Sequence, residues 1–258
     1  MSRNPVIQVT DLCKVYPTRG GPFRALDSLD FGIEEGSFVS IVGPSGCGKS
    51  TVLQLLTGLL SPTSGRVTID DIEVRGPLPE KAGVVFQDAT LLPWLTAEEN
   101  VAFPLSLCGT AKDERTRRAR ELLQLVGLEG FAHHRPAELS GGMRQRVAIA
   151  RGLARDPRIL LMDEPFAALD EQTRFRMGEE LLRIWQETRK TILFITHGLS
   201  EAIYLSDTVL VMGAKPGRIV DVIPVALPRP RTFEMMSSDV FGQARNRIWK
   251  LIQEGAEV

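Results

Sequence analysis

The chain has 258 residues, with 31 basic and 32 acidic side chains, a net charge of −1 and 43% hydrophobic residues. That length carries one large domain or two small ones with a sizeable core, and the balanced charge gives no electrostatic reason to expect nucleic acid as the main partner. Three scattered cysteines, Cys13, Cys47 and Cys108, form neither a disulfide framework nor a metal-ligand spacing and fit a reducing compartment.

Residues 1–10 contain no long apolar stretch, so no signal peptide is expected. No run of about eighteen apolar residues occurs, so no membrane-spanning segment is expected. Short alternating apolar patterns over residues 6–16, 25–34 and 66–74, bounded by Gly, Pro and Asp, predict antiparallel strands. Residues 38–42, 159–162, 191–195 and 209–212 are continuous apolar runs, as buried parallel strands are. With helical segments between them they predict an α/β core. Between residues 88 and 155 the pattern turns mostly helical. Candidate helices cover 96–105, 113–126 and 140–153, and Gly127 and Gly130 separate the second from the third. The basic stretch 112–120 is interleaved with acids at helical spacing and reads as a solvated helix face. This block reads as a helical insertion into the core. Pro224, Pro228 and Pro230 mark the expected end of the packed domain, followed by an amphipathic helix over 238–253.

Residues 43–50 read Gly-Pro-Ser-Gly-Cys-Gly-Lys-Ser, after an apolar strand and before an apolar helix-like run over 52–60. The glycines let backbone N–H groups wrap phosphates, and the following helix aims its unpaired N–H groups at the same anion. Lys49 adds a cation and Ser50 a hydroxyl for Mg²⁺. The chain is therefore expected to bind a nucleoside triphosphate. Cys47 reads as a small residue within this loop, whose oxidation would block the nucleotide.

The apolar run 159–162 ends in Asp163 and Glu164. A buried strand ending in acid places charge at the carboxyl edge of a parallel sheet, where ligands bind. Asp163 suits Mg²⁺, and Glu164 suits the polarisation of an attacking water. Residues 139–142, Leu-Ser-Gly-Gly, read either as an ordinary helix start capped by Ser140 or as a second anion site at a helix N-terminus. Gln87 closes an apolar segment, and His197 follows the strand 191–195.

The order of phosphate loop, Leu-Ser-Gly-Gly and apolar-Asp-Glu resembles the ATP-binding cassette (ABC) ATPases over roughly residues 6–225. The resemblance implies a P-loop NTPase (RecA-like) core with an antiparallel β subdomain and an inserted α-helical subdomain. It implies an ABC ATPase domain over 1–230, with the core at about 1–87 and 156–230, the helical part at about 88–155, and a helical tail over 231–258. Gln87 resembles the family's Q-loop glutamine, Asp170 in Ala168-Leu169-Asp170 its D-loop, His197 its switch histidine and Tyr16 the aromatic residue that stacks on adenine. The implied catalytic residues are Lys49, Glu164 and His197. The nucleotide would be held by Tyr16, by Gly43, Pro44, Ser45, Gly46, Cys47, Gly48, Lys49, Ser50 and Thr51, and by Gln87, Ser140, Gly141, Gly142 and Asp170. Ser50, Gln87 and Asp163 would hold Mg²⁺.

In that family two cassettes sandwich two ATP molecules, each between one phosphate loop and the other chain's Ser140 to Gly142. A homodimer or a paralogous second cassette is thus implied. Separate integral-membrane permease subunits and, indirectly, a solute-binding protein complete the expected partners, with the chain peripheral to the cytoplasmic face of the plasma (inner) membrane. Leu91-Leu92-Pro93-Trp94 and the tail Lys215-Pro216-Gly217-Arg218-Ile219 running to Leu227-Pro228-Arg229-Pro230-Arg231 resemble the nitrate/sulfonate/taurine importer group. Trp94 reads either as an anchor for the permease or as a buried tryptophan. A non-transport cassette acting on DNA or ribosomes fits less well, since those carry two cassettes or long coiled-coil insertions. Two positions depart from the family pattern: Gly198 after the histidine, which would loosen the switch loop, and Gly152 in place of a helix former.

Overall fold

A computed structural model describes residues 5–255 of the protein. They divide into two compact units, one of residues 5–78 with 191–255 and the other of residues 79–190. The reading of a leader-free start rests partly on residues 1–4, which lie outside the described residues.

The first unit opens with two long antiparallel strands, β1 (Ile7–Thr18) and β2 (Gly21–Ile33). Ile7, Val9 and Leu12 of β1 and Leu26, Leu29 and Ile33 of β2 are buried. All five residues of β3 (Phe38–Val42) are buried, as the apolar run requires. Helix α1 (Lys49–Leu56) follows the glycine-rich loop. It stops short of the expected residue 60 because Gly58 adopts φ 72 just past its end, a left-handed stop. The single strand expected over 66–74 is a hairpin, β4 (Ser64–Ile69) and β5 (Ile72–Glu73). Asp70 and Asp71 take φ 50 and 60, the paired left-handed residues of a two-residue hairpin turn. These strands form one antiparallel sheet in the order β2-β1-β4-β5.

The second unit begins with β6 (Ala82–Val85) and continues with α2 (Ala97–Ser106), α3 (Lys112–Leu125) and α4 (Gly141–Gly152). A capping box between Thr96 and Glu99 starts α2. Ala119, Leu122 and Leu123 of α3 point inward, while Arg117 and Glu121 pair on the exposed face. Then come β7 (Ile159–Asp163), parallel to β6, and α5 (Glu171–Thr188), which stops at Arg189 with φ 53. The unit is larger than the helical block expected over 88–155 because it takes in β6, β7 and α5. A Cβ at Gly83 of β6 would stand 2.1 Å from the Gly152 carbonyl. A Cβ at Gly152 would meet Leu160 and Val85 at 3.1 and 3.3 Å. Close packing of α4 on these strands therefore explains glycine at 152.

The chain re-enters the first unit with β8 (Thr191–Ile195), α6 (Leu199–Leu205), β9 (Thr208–Gly213), β10 (Arg218–Pro224) and α7 (Asp239–Glu254). Within this unit β9, β3 and β8 run parallel with β3 central, and β10 joins β9 antiparallel. The loop after β3 thus leaves the middle of these strands. Packing continues past the prolines expected to end it: Val225, Leu227, Arg231, Phe241 and Ile248 are all buried.

Candidate functional site

In the first unit the central feature is the turn from β3 into α1. Gly43 is buried, and a Cβ there would stand 2.6 Å from the Met212 carbonyl of β9. Gly46 and Gly48 take φ 76 and 100, conformations open to glycine and of the kind that turns successive backbone N–H groups towards one anion. Gly48 stands at the N-cap of α1 and offers no side chain, leaving the helix end to be satisfied by backbone or ligand. Lys49 is 7% exposed, and its Nζ donates to the carbonyls of Gly43 at 2.9 Å and Pro44 at 3.1 Å. A buried ammonium needs a compensating anion, and a phosphate fits this loop. Pro44 and Thr51 are half-buried, while Ser45, Gly46 and Ser50 are exposed.

Cys47 corrects one expectation. Its side chain is fully buried, and burial pushes the thiol pKa up, so it lacks the exposed thiolate that oxidation needs. Its carbonyl has a neighbour that the sequence reading did not place in the site. Gly217 is buried, and a Cβ there would stand 2.1 Å from the Cys47 carbonyl oxygen. The Gly217 N–H donates to Ala25 O at 2.9 Å, and Asp27 N–H to Gly217 O at 3.0 Å. The loop after β9 is thereby pinned to β2, against the phosphate loop. The glycine in Lys-Pro-Gly-Arg was the available signal.

Tyr16 is half-buried near the end of β1, with Lys14 Nζ 5.3 Å from its ring centroid. His197 is exposed between β8 and α6. Gly198 gives α6 no side-chain cap, but its N–H donates to Thr196 Oγ1 at 2.9 Å, and that hydroxyl donates to Glu201. A Cβ at 198 would crowd Glu201 and Thr196 at 3.3 to 3.4 Å. The turn is therefore tied down rather than loosened by the glycine.

In the second unit Asp163 ends β7, and Asp163 and Glu164 are half-buried. Glu164 has φ 44, a left-handed turn directly after the strand. Gln87 is exposed after β6. The segment around it is held from α4: Gln145 Nε2 donates to Phe86 O at 3.2 Å, and Arg151 to the carbonyls of Ala89 and Thr90 at 2.8 and 2.9 Å. Buried Asn100 fixes the next turn by accepting from Leu92 N–H at 2.8 Å and donating to Leu92, Leu95 and Thr96 carbonyls. Trp94 on that turn is 66% exposed, so it is not the buried tryptophan of the alternative reading.

Ser140 caps α4 through the Met143 N–H at 3.3 Å. Ser140 and Gly141 are exposed and Gly142 is buried. Asp170 caps α5 through the Thr173 N–H at 3.0 Å, and hydrogen bonds from Thr173 hold its carboxyl below the usual range. The structure brings the expected residues together in two groups. Gly43 to Thr51, Tyr16 and His197 belong to the first unit, and Gln87, Ser140 to Gly142, Asp163, Glu164 and Asp170 to the second.

Residues 26–167, more than half of the chain, match the family model described as ABC transporter. An uncharacterised ABC transporter ATP-binding protein of Methanocaldococcus jannaschii is 48% identical over 96% of this chain and 91% of its own length. The aliphatic sulfonates import ATP-binding protein of Bacillus cereus is 42% identical over 96% of each. Among solved structures, a dimeric ATP-binding cassette in a post-hydrolysis state with ADP and Pi aligns at TM-score 0.76 and 37% identity, covering 86% of this chain and all of that one. A Clostridium perfringens component of an ABC transporter complex aligns at TM-score 0.79 and 28% identity, covering 97% of this chain and 98% of that one.

Proposed function

The chain belongs to the ABC transporter ATPase family, and on that premise we propose that it couples ATP hydrolysis to the import of a small solute of the nitrate, sulfonate or taurine kind. It is an ATP-binding, ATP-hydrolysing cassette. The observation that carries the reading is the buried Lys49 ammonium folded onto the Gly43 and Pro44 carbonyls at the N-terminus of α1.

In this reading the loop amides and Lys49 bind the β- and γ-phosphates, and Tyr16 supplies a flat face to the base. Glu164 accepts a proton from the attacking water, and His197 and Gln87 orient the water and the terminal phosphoryl group. Ser50, Asp163 and Gln87 are oxygen donors that suit Mg²⁺, which when bound would neutralise phosphate charge. Ser140 to Gly142 act in trans on the nucleotide held by a second copy or a paralogous cassette, with Asp170 at the same interface. Loss of the shared terminal phosphate removes the contacts that keep the pair closed.

Among the described residues no helix is long and apolar enough to cross a membrane, so the reading places the chain peripherally, on the cytoplasmic side of a separate permease. The exposed Trp94, on a turn stitched by Asn100, supports an anchor there. The import assignment leans on the Bacillus cereus relative. Reconstitution with the cognate permease in liposomes tests it. ATPase activity should rise with a sulfonate, nitrate or taurine and its binding protein, and should fall back with Trp94→Ala. Stimulation by nucleic acid or ribosomes instead would overturn the import reading.

A further inference from the structure

We propose that Arg231, assisted by Arg229, is a positioning residue for hydrolysis: it fixes the C-terminal end of α6 and so sets where His197, at the other end of that helix, stands relative to the phosphate-loop strand β3. The proposal rests on the reading of His197 as a γ-phosphate contact. The tail Leu-Pro-Arg-Pro-Arg belongs to the importer-group resemblance but has no role in the chemistry described so far.

Helix α6 has seven residues, too few to hold its own shape, and its last carbonyls have no partner within the helix. Ala202 O accepts from the Ser206 N–H at 3.1 Å, and the tail supplies donors for the other three and for Ser206 O. Arg231 Nη1 donates to Ile203 O at 2.9 Å and Tyr204 O at 3.3 Å, and Nη2 to Ser206 O at 3.0 Å. Arg229 Nη2 donates to Leu205 O at 2.7 Å. The Tyr204 hydroxyl donates back to Arg231 O at 3.3 Å. Cations at a helix C-terminus also complement its dipole.

The same cluster reaches β3. Arg229 Nε donates to Asp207 Oδ1 at 2.8 Å, and Asp207 Oδ2 accepts from the Phe38 N–H at 2.9 Å. Asp207 N–H donates to Phe38 O at 2.7 Å, and the Ser206 and Ser40 hydroxyls share a buried hydrogen bond. Phe38 is the first residue of the strand that ends at Val42, beside Gly43. Tail, α6 and phosphate-loop strand are thus one hydrogen-bonded cluster. At its N-terminus α6 has no side-chain cap from Gly198 and leans on the Thr196 hydroxyl.

A charged side chain only 8% exposed is a costly way to fill space. Burial, then repulsion from Arg229, pulls the Arg231 pKa down to about 10. A planar fork spans several carbonyls at once, which a lysine ammonium does less well. Geometry, more than packing, is what this arginine supplies.

The test uses the full chain with Arg231→Met, Arg231→Lys and Arg229→Gln, and His197→Ala as reference. ATP Kd, kcat, melting temperature and the imidazole NMR signals are measured, with His197 distinguished from His133 and His134 by its loss in the reference variant. Arg231→Met should lower kcat roughly ten- to a hundredfold at temperatures where it is folded. Its ATP Kd should not change, and its His197 signals should move. Arg231→Lys should recover part of the rate. If Arg231→Met does not fold, Arg229→Gln and Arg231→Lys carry the same comparison. Wild-type kcat and unmoved His197 signals in folded variants, with only the melting temperature lowered, would overturn the proposal while leaving the His197 reading intact. Full activity of His197→Ala would overturn both.

Discussion

Glu164 concentrates the chemistry expected of one residue. It follows the β7 carboxylate Asp163, it is half-buried, and its backbone is held at φ 44. This left-handed residue turns the chain immediately after the strand. If Glu164 is the base, Glu164→Gln should lower kcat by about 10² to 10⁴ while the ATP Kd stays that of the wild type, measured by single-turnover hydrolysis and equilibrium binding. Cys47 marks the opposite case. A sequence places it in the loop without saying which way its thiol faces. Because the thiol is buried and burial raises its pKa, mild peroxide should leave ATPase activity unchanged, as an assay with and without reductant will check.

At the scale of elements, the long apolar runs were legible because a strand buried on both faces has no other composition. Residues 38–42 and 191–195 match β3 and β8 at both ends. Short or broken elements were not. Strand β6 is Ala-Gly-Val-Val, with too little side chain to signal burial, and its Gly83 is set by the approach of the Gly152 carbonyl, a tertiary fact. The β4–β5 hairpin hid behind an Asp70-Asp71 turn that lacks glycine. Strand β10 carries exposed Val220 and Val222 at an edge and a register shift after Ile219. Expecting helices between strands left α5 and α6 without bounds. The loop from β9 to β10 matters most for the site. Gly217→Ala would drive a methyl group into the Cys47 carbonyl, so it should weaken ATP binding by about tenfold or more, of the order of one charge-assisted hydrogen bond, in a titration on folded protein. The neighbouring Arg218 joins β10 to β2. Its hydrogen bond, ahead of that from Arg24, lowers the Asp27 pKa. A carboxyl lowered in the folded state stabilises above its unfolded value and loses that contribution as pH falls through the folded one. Asp27→Asn should therefore melt slightly below wild type at neutral pH, with the difference vanishing in acid.

At the scale of the whole molecule, the phosphate-binding turn and the acidic strand end were readable from short motifs. The role of the Leu-Ser-Gly-Gly helix start was not, because the role proposed for it needs a second molecule. Ser140 and Gly141 are exposed at the start of α4, where the Ser140 hydroxyl accepts from the Met143 N–H at 3.3 Å. In the proposed reading that surface meets the nucleotide held by a second cassette. Ser140→Arg should leave ATP binding by the single chain intact and abolish ATP-driven association. The most direct measurement is sedimentation of Glu164→Gln with Mg²⁺ and either ATP or ADP. The account predicts a dimer with ATP, a monomer with ADP, and a monomer in both when Ser140→Arg is added. A Glu164→Gln chain that stays monomeric while saturated with ATP, or whose ATP-driven dimer survives Ser140→Arg, would contradict it.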